Sequence, residues 1–372
     1  MKLGMTALVS AILLFVGCTD KGNGPGGDPE PTEYNLYYAT LDERHYEDGS
    51  WEYVHYVYVF DGGDMSLLDS IPTVTPATYI EPSLDGRWLF VSRGHFGHEA
   101  AALDKIDAAT GDLLWSRQTV KDRERLGGSR PYILKSGEMV HYQSFLLDTN
   151  DGHEVGEVPD SLAVLGDHAS LPGGVEILVT VRDDPERRIR LYNIETGEVH
   201  GSWSPRIEGV LMDITSVTLH PDQRHVLAVG AYADARNAWF LFGDLEKEST
   251  LTYFFVGNAD GEIAIDPKRN LAVITGPSDP FGYVSQFLHL VNLTTGLLLY
   301  TLTSEDGYIT GQACVNPYTG KVLTGPSTNL GGGPLELFDP VTLAIDTVVW
   351  PPGDPLASDI AIAPRPQLQD SD

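Results

Sequence analysis

The sequence predicts an all-β fold: seven four-stranded antiparallel blades set around an axis as a β-propeller, with the ring closed by the carboxyl-terminal strand. Three observations carry that expectation. Asp or Asn anchors close apolar runs at Asp61, Asp107, Asp148, Asn193, Asp244, Asn292 and Asp339, at spacings of 46, 41, 45, 51, 48 and 47 residues. Each period holds four short strand candidates and no helical pattern. The innermost strand that the first period lacks stands alone at the chain's end, as Asp359-Ile360-Ala361-Ile362-Ala363-Pro364.

Composition bounds the rest. The 372 residues are 42% hydrophobic and 21% charged, which suffices for a sizeable core and excludes a wholly disordered chain. Asp plus Glu number 53 against 24 Lys plus Arg, a net charge of -29. A field of that sign repels phosphate, so nucleic-acid binding through a broadly basic surface is excluded. With two Cys there is no disulfide framework.

Residues 1–17 read as a signal peptide. Lys2 supplies the positive start, and Ala7 to Val16 is apolar except for Ser10. That run is half the roughly 20 residues a membrane-spanning helix needs. Phe15-Val16-Gly17-Cys18 resembles the bacterial lipobox, with Phe15 where Leu is usual. The resemblance implies cleavage before Cys18 and lipid on its thiol. Thr19 after the Cys resembles the outer-membrane sorting class. Residues 18–33 are rich in Gly and Pro and carry no apolar periodicity, so they read as a flexible tether.

The blades occupy residues 34–366, followed by a short tail at 367–372 expected to be disordered. One recurrent unit ends an inner strand at a Pro turn and restarts with an apolar run. Its copies are Ile80-Glu81-Pro82, Leu219-His220-Pro221, Ile265-Asp266-Pro267 and Val315-Asn316-Pro317. Asp or Asn before Pro suits a type I turn. A second unit closes the third strand, as in Asp107-Ala108-Ala109-Thr110-Gly111 and Asn292-Leu293-Thr294-Thr295-Gly296. The sixth blade shows all four strands, at Glu262 to Asp266, Leu271 to Thr275, Phe287 to Asn292 and Leu297 to Thr301. Middle strands such as Leu271-Ala272-Val273-Ile274 are continuously apolar, the mark of a sheet buried on both faces, as radial stacking produces. A two-sheet sandwich would alternate more cleanly.

On this pattern the body resembles the seven-bladed propellers of the YVTN-repeat and WD-repeat-like class, over nearly the whole mature chain. Neither the YVTN tetrapeptide nor a Trp-Asp dipeptide occurs. Asp107 to Trp115 also resembles a quinoprotein repeat, in that blade only. Quinoprotein dehydrogenase is disfavoured, because that family typically has eight blades, a calcium site and often an adjacent Cys pair.

No local motif for catalysis is present. His-Glu-x-x-His, Gly-x-Ser-x-Gly, a P-loop and paired metal-spaced Cys are all missing. His95 and His98, three apart beside Glu99, are the most metal-like pair, but they lack a defined third ligand and read as solvated loop residues. Cys314 reads as a small buried residue. Glu81, His220, Asp266 and Asn316 each precede Pro, and are read as turn caps in preference to a ring of side chains converging on the central channel. No catalytic residue, metal or cofactor is assigned.

The segments between second and third strands share one face with the connections between blades, and they are long and charged. They contain Arg44, His45 and Trp51; Arg93, His95 and His98; and Arg182, Arg187 and Arg188. Arg123, Arg125 and Arg130 lie in the connection from the second blade to the third. Fourteen of the 24 Lys and Arg fall between Arg87 and Arg206, so a locally basic sector is expected there, unless these Arg pair with Asp122, Glu124, Asp183 and Glu186. Insertions gathered on one face of a repeat scaffold mark a binding surface. The expected function is a membrane-tethered extracytoplasmic binding or scaffold module, periplasmic or surface-exposed on an outer membrane, for a protein partner or a small anionic ligand. The alternative is a periplasmic lactonase- or lyase-like enzyme with its site at the channel mouth.

Overall fold

A computed structural model describes residues 33–45, 51–73, 77–93, 101–118, 130–164, 170–181, 184–232, 237–258, 262–276, 286–304, 312–325, 334–351 and 356–366. Among them are seven four-stranded antiparallel sheets and only two single-turn 3-10 helices. No helix of the described residues is long and apolar enough to cross a membrane.

From inner to outer strand, the second blade runs Ala77–Pro82, Trp88–Arg93, Ala102–Asp107, Leu113–Gln118. The sixth runs Ile263–Asp266, Leu271–Gly276, Gln286–Asn292, Leu298–Ser304, within a few residues of the sequence expectation. The first blade takes its inner strand, Leu356–Pro364, from the carboxyl terminus and continues Tyr34–His45, Trp51–Asp61, Leu67–Pro72. Leu356–Pro364 pairs antiparallel with Tyr34–Leu41, so the ring is closed by strands from both ends of the chain.

The core is a succession of apolar clusters between neighbouring blades. Tyr37, Ile71, Ile80 and Leu89 join the first and second; Phe90, Ile133 and Tyr142 join the second and third. One cluster runs through the third, fourth and fifth, with Trp203 fully buried in it. Phe240 and Ile274 join the fifth and sixth, Val273 and Phe338 the sixth and seventh, and Tyr38 and Leu337 the seventh and first. Every interface around the ring is filled. That explains the continuous apolarity of Val226 to Val229, all fully buried, and the exposure of outer strands such as Leu113–Gln118.

All seven anchors cap the turn they open. The carboxylate or amide oxygen of Asp61, Asp107, Asp148, Asn193, Asp244, Asn292 and Asp339 accepts backbone N–H groups two or three residues on, at 2.7–3.2 Å. The 51-residue spacing also has a cause. A small extra hairpin, Arg206–Ile207 with Val210–Leu211, lies between the fourth and fifth blades, its turn made by Glu208 (φ 51°) and Gly209 (φ 84°).

Candidate functional site

The turns after the inner strands set which side chains face the axis. The same backbone bond closes three of them: Ser83 N–H to Trp88 (2.8 Å), His220 N–H to His225 (2.9 Å) and Asn316 N–H to Lys321 (2.9 Å). Asp266 pairs with Leu271 at the same separation. His220, Asp266 and Asn316 are indeed caps, accepting from Asp222 N–H (3.2 Å), Arg269 N–H (3.2 Å) and Tyr318 N–H (2.9 Å). Glu81 is not their equivalent: in this register Ser83 is. The turn of the second blade has two more residues after its Pro than the others, so aligning on Pro misplaces Glu81 by two positions.

The true companions of Glu81 are Thr218, Ala264 and Cys314, each two residues before its cap. All four line a cavity of about 350 Å³ between the inner strands, together with Arg130 and Tyr132. Its wall reaches the short turns at Ser83–Leu84, Pro172, Pro317–Tyr318 and Pro364.

Two ionisable groups, Glu81 and Arg130, line this cavity, and Asp359 of the closing strand pairs with Arg130. Arg130 Nη2 donates to Asp359 Oδ1 at 2.6 Å, both side chains buried. Asp359 Oδ2 accepts the Ile80 N–H at 2.7 Å, which ties the closing strand to the second blade. The Arg130 guanidinium also lies 5.2 Å from the Tyr79 ring centroid. Burial pushes the Glu81 carboxyl up to about 8; Arg130 lowers it and Asp359 raises it. Burial, with Asp359 and Glu262 adding to it, also pushes the Cys314 thiol up, so it stays a thiol and not a nucleophilic thiolate.

Glu81 thus carries a pH-dependent cost. In the unfolded chain it ionises near 4.5; in the folded chain it holds its proton to about 8. Stability from this group is fully present below 4.5 and falls as pH rises through 8. Glu336, pushed by burial up to about 7, adds a contribution of the same sign. Glu81→Gln should gain on the wild type by roughly 3 kcal/mol between pH 4.5 and pH 7, read by urea unfolding across that range. A difference that does not change with pH would refute the protonated state.

The expected surface residues are dispersed. Arg93 is held by Asp104, with Nε to Oδ2 at 2.5 Å and Nη2 to Oδ1 at 2.9 Å, and by Ser116. Arg187 pairs with Asp213, Arg188 with Asp184 at 3.4 Å, and Arg206 with Glu186. Arg130 lies in the channel wall rather than on the loop face. Arg44 pairs in register with Glu52, and His45 with Trp51. Cys18, His95, His98, Arg123, Arg125 and Arg182 lie outside the described residues. The Glu81–Arg130–Asp359 group was missed by sequence reading. Its one local signal was the carboxylate of Asp359 at the head of an otherwise apolar strand.

No protein-family model matches the chain, and no curated protein matches it. Solved structures do. A functionally unknown protein from Desulfotomaculum acetoxidans is similar at 13% identity and TM-score 0.59, covering 89% of this chain and 99% of that one. A putative 6-phosphogluconolactonase from Bacteroides fragilis is similar at 13% identity and TM-score 0.58, covering 91% and 100%. The Neurospora crassa Pan2 WD40 domain is similar at 10% identity and TM-score 0.52, covering 72% and 76%. At such identities the likeness is one of fold. Together with the seven sheets, it defines the class: a seven-bladed β-propeller with WD40-like structural neighbours.

Proposed function

We propose that this protein is a bacterial envelope lipoprotein whose propeller binds a small ligand bearing an acceptor group, such as a carboxylate, in its central channel. The observation that carries the reading is a cavity of about 350 Å³ lined by both Glu81, whose carboxyl burial raises to about 8, and Arg130. That size falls in the range of roughly 300–1,000 Å³ usual for small-molecule sites. A protonated carboxyl donates one hydrogen bond, and the neighbouring guanidinium adds positive charge. The walls are otherwise largely apolar, with Ile263, Ile265, Ala313, Val315 and Ile362 among them. Lipid on Cys18 and the tether at 18–33 would hold the body at an outer membrane, where Cys18→Ser releases it and abolishes palmitate labelling. The charged sequence segments between second and third strands, with Arg123 and Arg125, would suit an acidic protein partner.

Calorimetry with a panel of mono- and dicarboxylic acids tests the channel. One class should bind the wild type, and binding should weaken as pH rises through about 8 because Glu81 loses its proton. Glu81→Ala should weaken it at least tenfold, while Arg123, Arg125, Arg187 and Arg188 replaced together by Ser should leave it unchanged. No binding by any acid, or loss only in the quadruple variant, would overturn the channel reading. A second reading, hydrolysis of a lactone in the same channel, is favoured by one observation: a carboxyl poised near neutrality suits a general acid. Turnover of sugar lactones that Glu81→Gln abolishes would select it.

A further inference from the structure

The turn between the inner and second strands of the fifth blade carries a group of side chains that cap its backbone, with Asp222 Oδ1 accepting the N–H groups of Arg224 (2.9 Å) and His225 (3.0 Å), and that also bring two imidazoles to one carboxylate. His220, Asp222 and His225 follow one another in His220-Pro221-Asp222-Gln223-Arg224-His225. Gln223 takes a left-handed conformation, φ 57°, which folds the turn back on itself. Asp222 sits between the two imidazoles: Oδ1 is 2.8 Å from His220 Nδ1, and Oδ2 is 2.7 Å from His225 Nδ1. Donor atoms of all three residues lie within 4.8 Å of one another.

We propose that this turn is a binding site for a divalent first-row transition ion, of which Zn²⁺ is the representative, with His220 Nδ1, His225 Nδ1 and the Asp222 carboxylate as protein ligands. Two imidazoles and one carboxylate are a donor set that such ions prefer over Ca²⁺ or Mg²⁺, which take all-oxygen sites. Three protein ligands leave one tetrahedral position for water or an exchanging ligand.

Three independent features support the assignment. First, His220 Nδ1 is doubly engaged. It accepts the Asp222 N–H at 3.2 Å, which needs its lone pair, yet it faces the anionic Oδ1 at 2.8 Å. A lone pair against a carboxylate oxygen is repulsive, so either a proton on Nδ1 or a metal ion joins the two atoms, and Zn²⁺ titration distinguishes them. Second, both rings are already oriented. His225 stacks on Phe242 at 5.0 Å and 12°, and His220 meets the same ring edge-on at 6.2 Å. Ligands held by packing lose little freedom on binding. Third, an outer carboxylate stands behind one ligand. Asp244, fully buried, lies 3.7 Å from His225 Nε2, the nitrogen left over when Nδ1 takes the metal. A carboxylate behind a ligating imidazole recurs at zinc sites; at 3.7 Å it is a neighbour of the ring and not yet a hydrogen-bond partner. The neighbouring Arg224 is neutralised by Asp244 at 2.8 Å and Glu246 at 2.8 Å, and Lys247 lies 3.6 Å from Asp244.

Hydrogen bonds from the backbone and ring of His225, outweighing burial, hold the Asp222 carboxyl below its usual range, so it is an anion at any working pH.

Titration of the full chain with Zn²⁺ by calorimetry, and with Co²⁺ by visible absorption, tests the proposal. One ion per chain is expected, with the intense d–d bands of tetrahedral Co²⁺. His225→Ala and Asp222→Asn should each weaken Zn²⁺ binding at least tenfold, and His220→Ala with His225→Ala should abolish it. His95→Ala with His98→Ala, and Asp151→Ala with His153→Ala, should leave it intact. Because the turn variants could disturb the blade, their melting temperature without metal is compared with the wild type. His225→Gln, which keeps a polar side chain of similar reach, provides a milder second variant that should also lose the Zn²⁺-induced rise in melting temperature. No stoichiometric Zn²⁺ binding, or undiminished binding in a folded His220→Ala/His225→Ala variant, overturns the assignment.

Discussion

Deletion of residues from Ser358 onward will open the ring and produce the largest loss of stability of any change considered. It removes most of Leu356–Pro364, the inner strand of the first blade, and with it the ladder to Tyr34–Leu41. Ile360, Ala361 and Ala363, all buried, leave the clusters that join the first blade to the seventh and second. Arg365 goes too, and its bonds to Asn35 (2.9 Å), Glu33 (2.9 Å) and Asp61 with it. Worse, Arg130 is left buried without Asp359, and a stranded buried charge alone costs about 3–5 kcal/mol. Against a domain stability of roughly 5–15 kcal/mol, the total approaches global unfolding. Circular dichroism and limited proteolysis read it directly. A truncated chain with the wild-type melting temperature would show that the strand does not hold the ring closed.

Arg130→Met is the second large effect. It strips Asp359 of its charged partner at 2.6 Å while leaving the Ile80 N–H at 2.7 Å. Removing the charged partner of a buried carboxylate is expected to cost about 3–5 kcal/mol in urea unfolding. Arg130→Met with Asp359→Leu should recover most of it, since two apolar side chains carry no desolvation cost. The sign of that recovery separates a partner effect from lost packing. If the single variant is as stable as the wild type, or the double variant is worse than the single, the pair is not what ties the closing strand to the channel. The same single variant should raise Glu81 further above its value of about 8, because the group that lowers it is gone.

What could be read from sequence was what neighbours in the chain decide. A carboxylate or amide two or three residues before its own backbone donors forms a cap wherever the strand ends, so the seven anchors were legible and all seven cap. Continuous apolarity reported burial on both faces, and the surplus strand at the carboxyl terminus reported closure; both follow from side-chain chemistry repeated at a fixed period. Glu81 defeated that reading because Pro82 looked like the other prolines but ends the strand, two positions before the place they hold in a turn of the same length, and the turn's closing bond, not the Pro, sets which side chains face the axis. The loop-face cations illustrate a related limit. Arg93, Arg187 and Arg188 read as part of a basic sector, but each meets an acid: Arg93 Asp104 on the neighbouring strand, Arg187 Asp213 of the next blade, and Arg188 Asp184 four residues before it.

By itself, then, the sequence determined the strand count, the caps and the closing strand of this protein, because each depends on contacts a few residues long or on a period that repeats. Only the tertiary structure decided the channel. Arg130 and Asp359 are 229 residues apart in the chain, and Ile80 and Asp359 are 279 apart. They meet because ring closure sets the carboxyl-terminal strand beside the other inner strands around one axis. There, burial strengthens every charge interaction and holds a proton on Glu81, and no local pattern records that environment.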